Sequence, residues 1–406
     1  MKNRRTFLKN TILGSLALGY TGAYLYGGLH PENPMIVPES YNPWIELSRS
    51  AYLRNAKLIS EKANGRGILA VLKNNAYGLG DVEVAQILDE SPFVHGFALV
   101  NDRRCLALRT NGVKKAILLM GDFDQDLGLQ LVQNNITLSA FSMESTEKII
   151  GLASTYSGQV LVELYLDTGL GRMGMPYGKG VEWVKKLSNI PNIRIEGMYS
   201  TLTTPEDFAK EQITRFQGVV SQLEEMDINV PKLHIAPSLS MLQLPESHFS
   251  MVRPGILLHG SHPLVDMKAT DTLALQPTYR LRARVIRVEK LKKGDTIGFS
   301  RFYKLENDEW IATLPIGWAD GYFSGAENGA KVLVNNELFK VVNVNASHCN
   351  LSIGSEKSLE VGDVATLIGP DRPEITPEGF SELSNGHNYL QIQYKESIPK
   401  IVSDAF

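Results

Sequence analysis

The chain has little cysteine, no dominant charge and no internal repetition. Only two cysteines occur in 406 residues, Cys105 and Cys349, so no disulfide framework can be read from them. Lysine and arginine number 41 against 44 acidic residues, a net charge of −3, and nothing in that balance points to nucleic acid as a partner. No repeat and no low-complexity tract interrupts the sequence. The composition, 43% hydrophobic and 21% charged, is that of an ordinary soluble protein long enough for two or three domains.

The N-terminus has its own texture. Asn3-Arg4-Arg5-Thr6-Phe7-Leu8-Lys9 sets a twin arginine before the apolar stretch Thr11 to Gly28. That is the pattern of a twin-arginine export signal, which implies the twin-arginine export machinery as a partner and a periplasmic location. An uncleaved membrane anchor is the alternative, because the apolar stretch is nearly long enough to span a bilayer and no clear small-x-small cleavage site follows. Residues 1–29 are therefore read as the signal. Residues 30–43, punctuated by Pro31, Pro34, Pro38 and Pro43, are read as a linker.

From residue 44 to 276 short apolar runs alternate with longer amphipathic stretches. Gly67–Leu72, Gly96–Val100, Ala116–Met120, Gln159–Leu166, Arg194–Tyr199 and Lys232–Ile235 read as strands. Val82–Leu88, Ser145–Leu152 and Asp207–Met226 read as helices. Such alternation over this length predicts parallel βαβ units closed into an eight-stranded α/β barrel. Residues 277–406 differ. Arg280–Lys290, Trp310–Pro315, Lys331–Val334, Leu338–Val344, Val364–Ile368 and Leu390–Tyr394 are short strand-like pieces between glycine and asparagine turns, which predicts a C-terminal all-β domain. The first strand after residue 44 is open to joining that β domain.

Within the barrel half, Ala70-Val71-Leu72-Lys73-Asn74-Asn75-Ala76-Tyr77-Gly78-Leu79-Gly80 places a lysine where an apolar strand gives way to a turn. A surface lysine at a strand end is the plain reading. An amine desolvated at the mouth of a barrel is the reactive one. Further runs follow in order: Asp167-Thr168-Gly169-Leu170-Gly171-Arg172-Met173-Gly174; Pro237-Ser238; Val252-Arg253-Pro254-Gly255-Ile256; Leu314-Pro315-Ile316-Gly317-Trp318-Ala319-Asp320-Gly321-Tyr322; and Ile392-Gln393-Tyr394. Each is weak alone. Together and in this order, from Lys73 to Tyr394, they resemble the alanine racemase family over nearly the whole chain after the signal.

That resemblance implies a pyridoxal 5'-phosphate enzyme, an amino-acid racemase with a barrel and a β domain, working as a homodimer with shared active sites. It implies that Lys73 carries the cofactor as an internal aldimine and acts as one proton-transfer base. Tyr77, Ser238, Gly255, Ile256 and Tyr394 are implied to hold the phosphate. Arg253 is implied to face the pyridine nitrogen, and Arg172 to help hold the substrate carboxylate and the cofactor phenolate. A structural ion pair is the plain alternative for Arg253. Asp167 and Asp320 read better as turn and cap residues.

The sequence also departs from the family pattern. Phe299, in Ile297-Gly298-Phe299-Ser300-Arg301-Phe302-Tyr303, stands where the second catalytic base is normally a tyrosine, and a phenyl ring accepts no proton. Ser347 and His348 stand where a methionine and an aspartate normally line the neighbouring subunit's substrate pocket. Thr201 replaces a histidine against the ring, Pro237 an asparagine and Trp318 a tyrosine, while Tyr165 occupies the place of a carbamylated lysine. Racemisation needs an acid/base on each face of the substrate. His348, of the side-chain type that titrates near neutrality, and Tyr303 are the candidates for the second. Ser347 and His348 are candidate substrate contacts. The alternatives are a one-base lyase (aldolase, dehydratase or decarboxylase) and a non-catalytic cofactor-binding protein. His348 and Cys349 are adjacent, an arrangement poor for a shared metal, so no metal is assigned. His259, His262 and His387 read as surface or structural histidines, and Cys105 as a helix residue packed in the barrel.

Overall fold

The computed structural model describes residues 37–264, 273–386, 393–404 and 406. The export motif and the start of the linker lie outside these residues, as does part of the expected strand Leu390–Tyr394. Among the described residues no helix is long and apolar enough to cross a membrane.

Eight parallel strands make the barrel of the first sheet, and a ninth short strand, Met175–Pro176, pairs beside Val160–Asp167. The order of the eight is Met251–Val252, Gly67–Val71, Val94–Leu99, Ala116–Leu119, Ile136–Ala140, Val160–Asp167, Ile193–Tyr199 and Lys232–His234. The ring closes through a parallel bridge between Pro237 and Arg253, supported by Arg253 N–H donating to the Ala236 carbonyl at 2.9 Å. Burial on both faces explains why these strands read as near-continuous apolar runs: every residue of Gly67–Val71 is buried. Alternate residues divide between two cores. Leu69, Val71, Ala98, Leu118, Tyr165, Tyr199 and Met251 pack inside the barrel. Ile68, Ala70 and Leu72 pack outward with the helices.

The helices start where the sequence supplies caps. Ser48 accepts from Ala51 N–H ahead of Arg49–Lys62, and Asn101 accepts from Arg104 N–H ahead of Asp102–Thr110. A reciprocal Ser142/Ser145 capping box begins Met143–Thr155.

The second sheet has nine strands in the order Arg287–Leu291, Glu309–Leu314, Cys349–Gly354, Glu337–Val344, Lys331–Val334, Val364–Ile368, Tyr279–Arg284, Trp44–Ser48 and Lys400–Ser403. Trp44–Ser48 thus lies in this sheet, antiparallel to Tyr279–Arg284 and parallel to Lys400–Ser403. The expected single strand Arg280–Lys290 is two strands. At Val285 and Ile286 the chain leaves one neighbour for another: Val285 N–H bonds to the Asp363 carbonyl and Ile286 N–H to the Thr313 carbonyl. Cys349–Gly354, whose sequence carries no clear strand signal, is a strand between two others.

Candidate active site

Lys73 follows Val71 by two residues at the carboxyl end of a barrel strand, the end at which α/β barrels carry their sites. The turn after it is unusual. Asn74, Asn75, Ala76 and Tyr77 all have positive φ, between 49° and 58°, and Gly78 follows at 91°. One left-handed turn therefore lifts Lys73 and brings Tyr77 back beneath it, with Lys73 Nζ 5.9 Å from the centre of the Tyr77 ring. Asparagine tolerates this conformation, whereas alanine and tyrosine are strained in it. Burial holds the Lys73 amine below the ordinary lysine range, and the Arg172 and Arg253 charges push the same way. The result is an amine biased toward its neutral form.

Tyr77 meets Gly255 on the other side. A Cβ on Gly255 would lie 2.0 Å from the Tyr77 hydroxyl oxygen, so only glycine lets the two approach. Gly255 N–H donates to Ser238 Oγ at 3.0 Å, and Ile256 follows at the start of a short 3-10 helix. Tyr77 also leans on His259, with ring centroids 5.2 Å apart, and His259 bonds through Nδ1 to the Tyr52 hydroxyl at 2.9 Å. Burial lowers the His259 pKa to about 3, so it is a neutral structural support behind Tyr77. Tyr394 comes from the β-domain side of the chain. It is buried, and its ring meets Tyr279 edge-on at 6.3 Å.

Arg253 is 5% exposed, and its guanidinium is nearly fully engaged. Nη1 donates to His234 Nδ1 at 2.9 Å and to the His234 carbonyl at 3.1 Å. Nη2 donates to the Ser200 carbonyl at 2.6 Å and to Thr201 Oγ1 at 3.0 Å. Of five guanidinium N–H groups, that leaves Nε–H. The group lies over the Tyr199 ring at 4.9 Å, and the Tyr165 hydroxyl is 3.2 Å from Thr201 Oγ1. Arg172 is exposed in the glycine loop that Asp167 ties down by accepting from Gly169 N–H and Gly171 N–H. Asp320 likewise accepts from Gly317 N–H, a capping role.

The residues of the family's second base lie elsewhere in the chain. Phe299 is 97% and Phe302 85% exposed. Tyr303 turns its hydroxyl to the Glu309 carboxylate, at 3.1 and 3.2 Å, and burial pushes its phenol up. Ser347 Oγ is 2.9 Å from His348 Nδ1, and both backbone N–H groups donate to Asn345 Oδ1. This loop is clamped to the Trp318 segment, where Trp318 N–H donates to the Asn345 carbonyl and Ala319 N–H to that of Ala346. Cys349 is buried in the following strand with its thiol pushed up to about 12, so it offers no thiolate beside His348.

Four residues around Arg253 are silent in the sequence: Glu163, Ser200, Tyr199 and His234. All sit at inward or terminal positions of strands, and their partners are 19 to 71 positions away in the chain. No short run of sequence could reveal them.

The donor set fits pyridoxal phosphate: a neutral-biased lysine, hydroxyls and a glycine cradle for a phosphate, and an arginine with one N–H left for a ring nitrogen. Residues 47–263 match the family model "Alanine racemase, N-terminal domain" and 278–401 match "Alanine racemase, C-terminal domain". An alanine racemase of Methanococcus maripaludis is 32% identical over 371 residues, covering 89% of this chain and 99% of the relative. One from Clostridium tetani is 29% identical over 368 residues, covering 88% and 94%. Among solved structures, the Clostridium difficile alanine racemase superposes with a TM-score of 0.82 at 26% identity, over 91% of this chain and 97% of that one. A histidine racemase of Leuconostoc mesenteroides does so with 0.81 at 26%, over 90% and 99%. With its barrel, its β domain and its lysine turn all accounted for, this chain belongs to the alanine racemase family, whose members are pyridoxal phosphate-dependent.

Proposed function

We infer that this chain is a pyridoxal phosphate-dependent isomerase that interconverts the L and D forms of an amino acid. The observation that carries the reading is the trio Lys73, Arg172 and Arg253: a partly desolvated amine beside two guanidinium groups, one of them with a single donor left over. Bound pyridoxal phosphate supplies a carbonyl that condenses with amines and a conjugated ring that takes up the electron pair left at Cα. Lys73 would hold it, and Tyr77, Ser238, Gly255, Ile256 and Tyr394 would hold its phosphate.

The chain's own residues do the rest. Arg253 would offer its remaining Nε–H to the cofactor's ring nitrogen and, being an arginine, would give up no proton to it. Arg172 attracts the substrate carboxylate. Lys73, when its amine is free, would take or return the Cα proton on one face. On the other face Phe299 cannot act. His348 is favoured over Tyr303, whose hydroxyl is already bonded to Glu309. Ser347 supports His348 by bonding to its Nδ1, which leaves Nε2 as the proton carrier. Because family members share sites between subunits, we place His348 and Ser347 in the partner's site of a homodimer.

The alanine and histidine named for relatives bracket a range of side-chain sizes, so the proposed substrate is a class, the free amino acids, and no single member of it. Incubating the cofactor-loaded protein with single amino-acid enantiomers in deuterated water tests the reading. Racemisation gives deuterium at Cα with loss of optical purity. Keto acid, amine or aldehyde release with retained optical purity would favour the one-base lyase instead. For location, the Arg4-Arg5 motif supports export. Arg4→Lys combined with Arg5→Lys should move the protein from the periplasmic to the cytoplasmic fraction, and unchanged fractionation would remove that reading.

A further inference from the structure

Three buried side chains run in line inside the barrel, from its floor to its rim: Glu163, His234 and Arg253, at 3%, 0% and 5% exposure. Their protonation follows from donor arithmetic. Arginine only donates, so His234 Nδ1, 2.9 Å from Arg253 Nη1, must be a bare acceptor. Burial keeps the His234 ring neutral despite the opposing pull of Glu163, and the Arg253 charge works with burial. A neutral imidazole carries one proton. It is therefore on Nε2, where it donates to Glu163 Oε2 at 2.9 Å. The plane of the ring is held by Tyr199, which stacks on it at 5.1 Å and 11°, and by Tyr165, which stacks on Tyr199 at 4.4 Å.

Glu163 also lines a cavity of about 240 Å³ at the barrel floor, with His95, Thr137, Lys232 and Ser250. The space carries several polar groups among apolar walls and is large enough for water, which can serve the carboxylate oxygen that His234 does not.

We propose that Glu163 is a positioning residue for the racemase reaction: by fixing the tautomer of His234 it fixes the roll of the Arg253 guanidinium, so that Nε–H is the donor presented to the cofactor's ring nitrogen. The proposal deepens the function inferred above and rests on it. Without the carboxylate, Arg253 alone would favour this tautomer, and any share of the other would turn an N–H of His234 against the guanidinium and roll Arg253 away.

The test uses cofactor-loaded protein labelled with ¹⁵N-histidine, with the His234 resonance assigned by its loss in His234→Asn. Wild-type His234 should be the Nε2–H tautomer. Glu163→Gln, whose amide both donates and accepts, should give a mixture of tautomers and shift the visible absorption of the bound cofactor. It should lower kcat about tenfold or more, as loss of a tautomer-fixing carboxylate does elsewhere, with KM within about twofold. A wild-type His234 that is Nδ1–H or doubly protonated overturns the proposal. So does a Glu163→Gln protein with unchanged tautomer, absorption and kcat, even if its Tm falls. If Glu163→Gln does not fold, Glu163→Asp, which keeps the charge, should retain the Nε2–H tautomer, and the wild-type measurement still decides. A wild type without racemase activity would remove the function while the tautomer and absorption readouts still judged Glu163.

Discussion

A lysine serves as a base only when its amine sheds its proton near working pH. Lys73 is biased that way by burial first, then by Arg172, then by Arg253. The sign is fixed. A lowered pKa places the rise of activity with pH below the 10.5 of an ordinary lysine, and removing a neighbouring cation moves that rise to higher pH. Arg172→Gln should therefore shift the alkaline-going limb of kcat, which reports the substrate-bound enzyme in which the Lys73 amine is free, upward in pH, besides raising KM for the carboxylate. A limb that stays in place would show that Arg172 does not act on Lys73. The residues legible in the sequence at this scale are those set in glycine- or proline-marked runs: Lys73, Tyr77, Arg172, Ser238, Arg253 and Gly255. Those that are not, Glu163, Tyr199 and His234, act through neighbours across the barrel, and an apolar strand with one polar inward residue does not announce that partner.

At the scale of elements, the turn Asn74 to Tyr77 shows a local conformation overruling local preference. Its hydrogen bonds hold it: Gly78 N–H to the Asn74 carbonyl, Gly80 N–H to that of Asn75, and Asp81 N–H to Asn75 Oδ1. Asn74 is exposed, so a substitution there tests the backbone rather than packing. Asn74→Gly should change stability by no more than about 0.5 kcal/mol. Asn74→Val should cost about 2 kcal/mol in urea unfolding, because a β-branched residue is disfavoured at positive φ. Equal stabilities would mean that the left-handed turn is absent in solution. The two asparagines hint at such a turn, but nothing in the sequence distinguishes four consecutive left-handed residues from a loop. The barrel strands are easier, since burial on both faces writes them as apolar runs. Ile136–Ala140 is blunted by Ser139, which is buried and bonds to the Leu119 carbonyl and the Tyr199 hydroxyl.

At the scale of the whole molecule, the β domain is tied to the barrel by the chain's own ends, with Trp44–Ser48 lying between Tyr279–Arg284 and Lys400–Ser403. That leaves Phe299, Phe302 and Trp318 as large exposed aromatics on one domain, at 97%, 85% and 57%. The Trp318 segment holds the Ser347–His348 loop. In the homodimer proposed above, a subunit contact would cover these aromatics and would bring His348 of one subunit to Lys73 of the other. Subunit mixing makes this decisive. Lys73→Ala and His348→Ala should each be severely impaired as homodimers. Unfolded together and refolded, half the dimers are mixed, and each mixed dimer has one site with both residues intact, so activity should return to about a quarter of wild type. Chains with self-contained sites would recover nothing on mixing, because every site would still lack one group. Recovery with Tyr303→Phe in place of His348→Ala would instead move the second base to Tyr303, against the bond that ties its hydroxyl to Glu309.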